Sequence, residues 1–373
     1  MSPERYEQLH RESLVVDTMG PPGPSLHTPN MLARLDELVA EGAEPALAID
    51  EMEHMADEAL LAGELDGFWD GWERSGVDVS SVTLGAFGPQ PFTYENAVRD
   101  IERWQRKFDE LDGFVHVTSG ADAERAHADG KHGIILNFQN TDHFDDDFAK
   151  LGEFHELGIR IIQLTYNGHN LVGDGCTQTD PKGLSSFGRE VVARMNELGI
   201  LIDVSHCSEP TSLDAVEASE KPIAITHGFS KALNPHDRGA SDDLIRAIGD
   251  HGGYVGIVLV PFFLTTEPGV TLDHFVRHVD HVGALVGLDH VGVGTDWAPP
   301  VPAQLQALLT EEVRRIGFRP EHRVDWGATI DELPDWTDWP NITRALVGCG
   351  LSDDEVRGIL GGNFLRVFRE AVG

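Results

Sequence analysis

Short runs rich in Val, Ile and Leu recur along the chain, each separated from the next by a stretch with helical spacing. They are Ser13–Met19, Val77–Ala86, Gly133–Asn140, Gly158–Asn167, Leu201–His206, Pro222–Gly228, Gly253–Val260 and His290–Trp297. Near-continuous apolar character marks strands buried on both faces, as in a parallel sheet. The segments between them carry helix signals. Asp145–Leu157 and Phe187–Leu198 stop at Gly158 and Gly199, where a left-handed residue ends a helix without steric cost. Glu209–Glu220 has Pro210 in its first turn. Ser241–Asp250 opens on a Ser cap followed by acids that suit the helix dipole. Thr271–Val286 and Ser352–Glu370 complete the set. Eight strands alternating with helices predict an α/β fold, a TIM (β/α)8 barrel with helical insertions, as a single domain over residues 1–373. A doubly wound open sheet is the runner-up, but DTMGPPG after the first run is too Pro-rich for the Gly-rich phosphate turn of that fold.

Three connections are too long for simple loops: Gly20–Gly76, with two acidic helical patterns, Gly88–Lys131, and Ala298–Asn341. The last carries Trp326, Trp336 and Trp339 and is the candidate lid, its tryptophans either lining a cleft or forming a small core of their own.

The formal net charge of −35 repels phosphate backbones and excludes nucleic acid as a partner. Cys176, Cys207 and Cys349 are odd in number and widely spaced, which favours a reducing compartment. The charged N-terminus has no signal-peptide pattern, and no apolar stretch reaches membrane-span length. The expectation is a cytoplasmic protein without a membrane span. A homodimer is allowed.

A barrel of this kind builds its active site from the C-terminal ends of its strands. Those ends carry Asp17, Gln139, Tyr166, His206, His227 and Asp296. Neutral imidazoles suit Zn²⁺, and a carboxylate can be a third ligand or a general base. His206, His227 and Asp296 are therefore the candidate metal ligands. Alternation places Ile202, Val204 and His206 on one face and points Asp203 away. Arg238, in the HDRG turn, can hold a substrate carboxylate or be a solvated loop charge. His274, His278 and His281 share a helix face, read as a packing stripe, and Cys207 reads as a packed small residue. No GxSxG elbow, Walker loop or HExxH is present.

The run from Gly183 to Leu233, with IDVSH and AITHG inside it, resembles the membrane (renal-type) dipeptidase family, peptidase family M19. DHVGVGTD and the C-terminal GILGGNFLRVF share the likeness, which spans the barrel. The resemblance implies a TIM barrel with a binuclear zinc site that hydrolyses dipeptides. It assigns His206 and His227 to one zinc, Asp296 to assisting the nucleophilic water, and Arg238 to the substrate carboxylate. The chain departs from the family elsewhere. Met19-Gly20-Pro21 replaces a His-x-Asp, Gln139 stands at the bridging glutamate, and Tyr166 replaces a histidine.

One Zn²⁺ is thus the expected cofactor, a second being doubtful, with Gln139 as a weak ligand or hydrogen-bond donor. Tyr166 and Asp296 are the catalytic candidates, and Arg238, Tyr166 and Gln139 the substrate-binding ones. Asp17 and His143 are candidate replacement ligands for a second ion. The expected substrate is a dipeptide or small N-acyl amino acid. The alternatives are a non-hydrolytic isomerase or dehydratase on the same scaffold, and an inactive binding protein.

Overall fold

The computed structural model describes residues 3–85, 92–296 and 302–373. Among the described residues nine strands form one sheet: β1 (Val16–Asp17), β2 (Val79–Thr83), β3 (Phe114–His116), β4 (His132–Phe138), β5 (Ile159–Gln163), β6 (Leu201–Asp203), β7 (Ala224–Gly228), β8 (Tyr254–Ile257) and β9 (Val291–Val293). Neighbours run β1-β2-β4-β5-β6-β7-β8-β9, all parallel, with β3 attached to β4 alone. Two backbone hydrogen bonds bring the ends of that path together: Thr18 N to Val293 O at 3.1 Å, and Asp296 N to Met19 O at 2.6 Å. The result is a nearly closed eight-stranded barrel, the TIM arrangement the hydrophobic pattern predicts.

Each of the eight apolar runs supplies a barrel strand, although the strands are shorter than the runs. Ala86 and Trp297, at the ends of two runs, lie outside the described residues, as do the first residues of the second and third insertions. Strand β3 is the unexpected one. It sits between helices Tyr94–Glu110 and Gly120–Asp129 and pairs with the lower half of β4, His132–Ile134, while Leu136–Phe138 pair with β5.

Alternation along the strands divides the core in two. Val16, Val79, Ile135, Ile161 and Leu201 pack with Phe364 and Phe368 of the C-terminal helix Asn363–Val372. Ile134, Leu136, Phe138 and Ile202 join the larger cluster under the surrounding helices. The C-terminal segment reaches the first strand closely because of Gly361: a Cβ there would lie 2.4 Å from Leu14 O.

The first insertion folds into three helices, Pro29–Glu41, Pro45–Leu61 and Phe68–Ser75. The first two pack against helix Ala303–Arg315 of the third insertion through Met31, Leu35, Leu38, Met52 and Leu308, a small core separate from the barrel's. Two insertions distant in sequence thus form one cover. The third insertion's tryptophans divide between the two roles considered for them: Trp336 and Trp339 join the main core, whereas Trp326 lines a cavity. No helix among the described residues is long and apolar enough to cross a membrane.

Candidate active site

His206 follows the end of β6, His227 lies within β7, and the two rings meet Nε2 to Nε2 at 3.0 Å. What each ring carries on its other nitrogen follows from its neighbours. Asn167 is oriented by donating from Nδ2 to Ile316 O at 2.9 Å, so its Oδ1 accepts from His206 Nδ1–H at 2.7 Å. Cys176 Sγ–H donates to the same oxygen at 3.3 Å. On the other ring, Thr226 Oγ1–H donates to Asp203 Oδ2 at 2.6 Å, which leaves the threonine oxygen to accept from His227 Nδ1–H at 2.8 Å. Burial holds both imidazoles well below their usual pKa, hence neutral. Both protons are then on Nδ1, and two unprotonated Nε2 lone pairs face each other in a buried site.

Two lone pairs at that distance repel unless a cation lies between them. The donor chemistry therefore fits a borderline divalent ion such as Zn²⁺, which takes imidazole nitrogen at about 2.0–2.1 Å. The outer partners Asn167, Thr226 and Asp203 fix tautomer and ring orientation, as carboxylates and carbonyls do around metal-binding histidines. Among the described residues no group of three or more His, Cys, Asp or Glu side chains is placed to hold an ion, so the histidine pair is the preformed part.

Asp203 differs from the alternation-based expectation. Strand β6 ends at Asp203, and a turn carries the chain to His206, so alternation does not extend across Val204 and Ser205. Asp203 is buried and accepts from the backbone and hydroxyl groups of both Ser205 and Thr226. Burial raises its pKa, and these four donors oppose that rise. It faces the site and supports His227.

His206 forms part of the wall of a cavity of about 530 Å³, together with Tyr166, Gln139, Met19 and Asp296. Tyr166 stacks on His206 with ring centroids 4.3 Å apart and planes 19° apart. Its hydroxyl stays protonated because burial raises its pKa, with the Asp296 charge adding to the effect. Gln139 donates from Nε2 to Thr83 Oγ1 at 3.0 Å, and its buried Oε1 has no partner. Asp296 adopts a left-handed backbone with φ of 52°, held by the bond from its N–H to Met19 O. Burial raises its carboxyl to about 7, and Arg238 opposes the rise.

Arg238 is almost fully buried, and its side chain donates to Ser205 O and to His227 O, the latter at 2.6 Å. It braces the backbone on either side of the histidine pair. Its Nε has no partner, and the guanidinium borders a smaller polar cavity of about 210 Å³, not the larger one. Asp17 is committed to Thr295, accepting from its N–H at 2.8 Å and from its hydroxyl. His143 stacks on Phe138 with centroids 4.2 Å apart, its Nε2 buried and unpartnered. The stripe His274, His278 and His281 disperses: His278 bonds Leu264 O at 2.9 Å and His281 bonds Asp242 at 2.8 Å. Cys207 is buried beside His206, as expected of a packed residue.

Neither Asn167 nor Thr226 is singled out by the sequence pattern. Thr226 directly precedes His227, and a hydroxyl beside a buried histidine was the available signal.

Residues 75–320 match the family described as membrane dipeptidase (peptidase family M19). Dipeptidase tcpJ of Claviceps purpurea is 30% identical over 252 residues, covering 67% of this chain and 53% of that protein. Dipeptidase aclJ of Aspergillus oryzae is 29% identical over 262 residues, covering 69% and 56%. The chain spans about half the length of these curated relatives. A crystal structure of an amidohydrolase from Pseudomonas aeruginosa superposes with a TM-score of 0.78 at 27% identity, covering 99% of each chain. A metallo peptidase from Rhodobacter sphaeroides, liganded with a phosphinate mimic of L-Ala-D-Ala, shares the fold at 20% identity, with a TM-score of 0.68 over 82% of this chain and 90% of that one. With the barrel and the histidine pair, the match over residues 75–320 shows that this chain belongs to the membrane dipeptidase family, peptidase family M19.

Proposed function

We propose that the protein is a dipeptidase-like, metal-dependent hydrolase of dipeptides or small N-acyl amino acids. The observation that carries this reading is the pair of facing Nε2 lone pairs of His206 and His227, 3.0 Å apart, with His206 lining the cavity whose wall also contains Asp296. His206 and His227 would hold one Zn²⁺ per chain, with Asp296 beside them as base rather than as a third ligand. When bound, the ion supplies Lewis acidity at the scissile carbonyl.

The protein's own residues supply the rest. Asp296, with a pKa raised to about 7, can take a proton from the attacking water and return it to the leaving amine. Water adds to the carbonyl carbon, the C–N bond breaks, and that proton completes the amine. Tyr166, protonated and stacked on His206, donates a hydrogen bond to the oxygen on which negative charge develops. Arg238 orients the histidine strands and places positive charge next to the site; reaching a substrate carboxylate requires it to exchange one of its backbone carbonyl partners.

The test is metal analysis of the purified protein alongside turnover of L,L and L,D dipeptides. About one ion per chain with amide cleavage is expected. A metal-loaded protein that cleaves no dipeptide or acyl amino acid, or one that returns a product of unchanged mass, overturns the reading.

A further inference from the structure

The cavity wall farther from the strands is ionic. Helix Pro45–Leu61 contributes Asp50, Glu53 and Asp57; helix Tyr94–Glu110 contributes Arg99, Asp100, Arg103 and Lys107. Three of the four carboxylates are paired. Arg99 holds Asp50 at 3.0 Å, Arg103 and Lys107 hold Asp57 at 2.8 and 2.7 Å, and Asp100 accepts from Gly85 N–H at 2.9 Å with Arg99 at 3.3 Å. Glu53 stands apart. Its one basic neighbour among the described residues is Arg103 at 4.0 Å, and its side chain is 58% exposed.

A second acceptor borders the same cavity. Gln139 is 4% exposed, and its Oε1 is buried without a partner. An unsatisfied buried acceptor costs free energy until a donor reaches it. Part of the remaining wall is apolar and aromatic, with Val260, Phe262, Phe263, Phe318, Val324 and Trp326. A cavity of about 530 Å³ falls within the range that encloses whole small ligands, with room for two side chains.

We propose that Glu53 is a specificity-determining residue that receives the cationic side chain of a basic residue in the substrate, opposite an apolar partner residue held by the aromatic wall. The preferred substrate class is then a dipeptide joining Lys or Arg to an apolar or aromatic residue. Gln139 Oε1 accepts from a substrate N–H nearer the reacting bond. This rests on the hydrolase reading for its turnover but not for its binding. Helix Pro45–Leu61, which carries Glu53, lies before residue 75 and outside the family match, whereas helix Tyr94–Glu110 lies within it.

Arginine and citrulline differ in charge at nearly equal shape, so the pairs Phe-Arg with Phe-citrulline and Arg-Phe with citrulline-Phe isolate the cation. The kcat/KM ratio within a pair is expected to favour arginine by about tenfold, the scale of one charge-assisted hydrogen bond. In Glu53→Gln the ratio falls to near one, and in Glu53→Lys it inverts. A ratio is internal to each variant, so a partly misfolded preparation does not imitate the result. Calorimetric binding of phosphinic analogues of Phe-Arg and Phe-citrulline reads the same preference without turnover. If no peptide is cleaved yet the arginine analogue binds more tightly through Glu53, the hydrolase reading fails and this inference stands. Equal ratios in the native protein, or a preference that survives Glu53→Gln, overturn it.

Discussion

His206 of the histidine pair and the helical cover border the same cavity, and the pair and the cover are built on opposite principles. At the strand ends every polar contact is short, buried and fixed: Asn167 sets one ring, Thr226 and Asp203 set the other, and both imidazoles are neutral. In the cover the side chains are longer, partly solvated and ion-paired, and they rest on a small core of their own. Rigidity is concentrated at the histidines and relaxed in the cover. Chemistry at the histidines needs fixed lone pairs, whereas side-chain selection needs a wall that can change without disturbing them.

The widest separation between the two regions is expected on deleting a ligand. His206→Ala should lose bound metal and lower kcat/KM on the order of 10³-fold, the effect of removing several kcal/mol of Lewis-acid stabilisation. Metal analysis with steady-state kinetics checks this, and turnover that survives without metal breaks the assignment. In the cover, Leu35→Ala removes a fully buried side chain from the small core. It should cost about 2–5 kcal/mol of cover stability. Limited proteolysis should then cut within residues 29–61 while barrel fragments stay intact; cutting spread evenly over the chain would mean that cover and barrel unfold together.

Asn167→Leu leaves His206 Nδ1–H without its acceptor. Zinc affinity should drop about 10–100-fold by calorimetry, the usual cost of losing an outer partner of a metal-binding histidine. The smallest expected effect is on pH dependence. Burial raises Asp17 to about 7, above its unfolded value, so the folded state holds a proton that the unfolded state has released. Stability from this group is full below about pH 4 and declines as pH rises towards 7. Urea midpoints at pH 5 and pH 8 should differ in that direction, and Asp17→Asn should flatten the difference. A midpoint that rises with pH in the native protein and is unchanged in the variant contradicts it.

The barrel was legible in sequence because its strands are buried on both faces and therefore spell continuous apolar runs. Strand β3 was not, since Phe114–His116 is three residues long and lacks any periodic signal. His206, His227 and Asp296 were legible because each closes an apolar run. Their support was less so. Strand alternation turns Asp203 away only if it continues to His206, and the strand ends at Asp203; Asn167 comes from a loop whose path no local pattern dictates. The ionic wall was invisible for a different reason: Glu53 and Arg103 belong to two insertions, and only tertiary packing brings them within 4.0 Å.

The left-handed backbone at Asp296 governs how mutants there should be interpreted. With φ at 52°, alanine would carry a steric penalty of about 1–2 kcal/mol in addition to losing the carboxylate. A dead alanine variant would therefore confound a distorted strand end with a missing base. Asparagine tolerates the same backbone and keeps the side chain's shape, so Asp296→Asn is the substitution whose kinetics report on proton transfer alone.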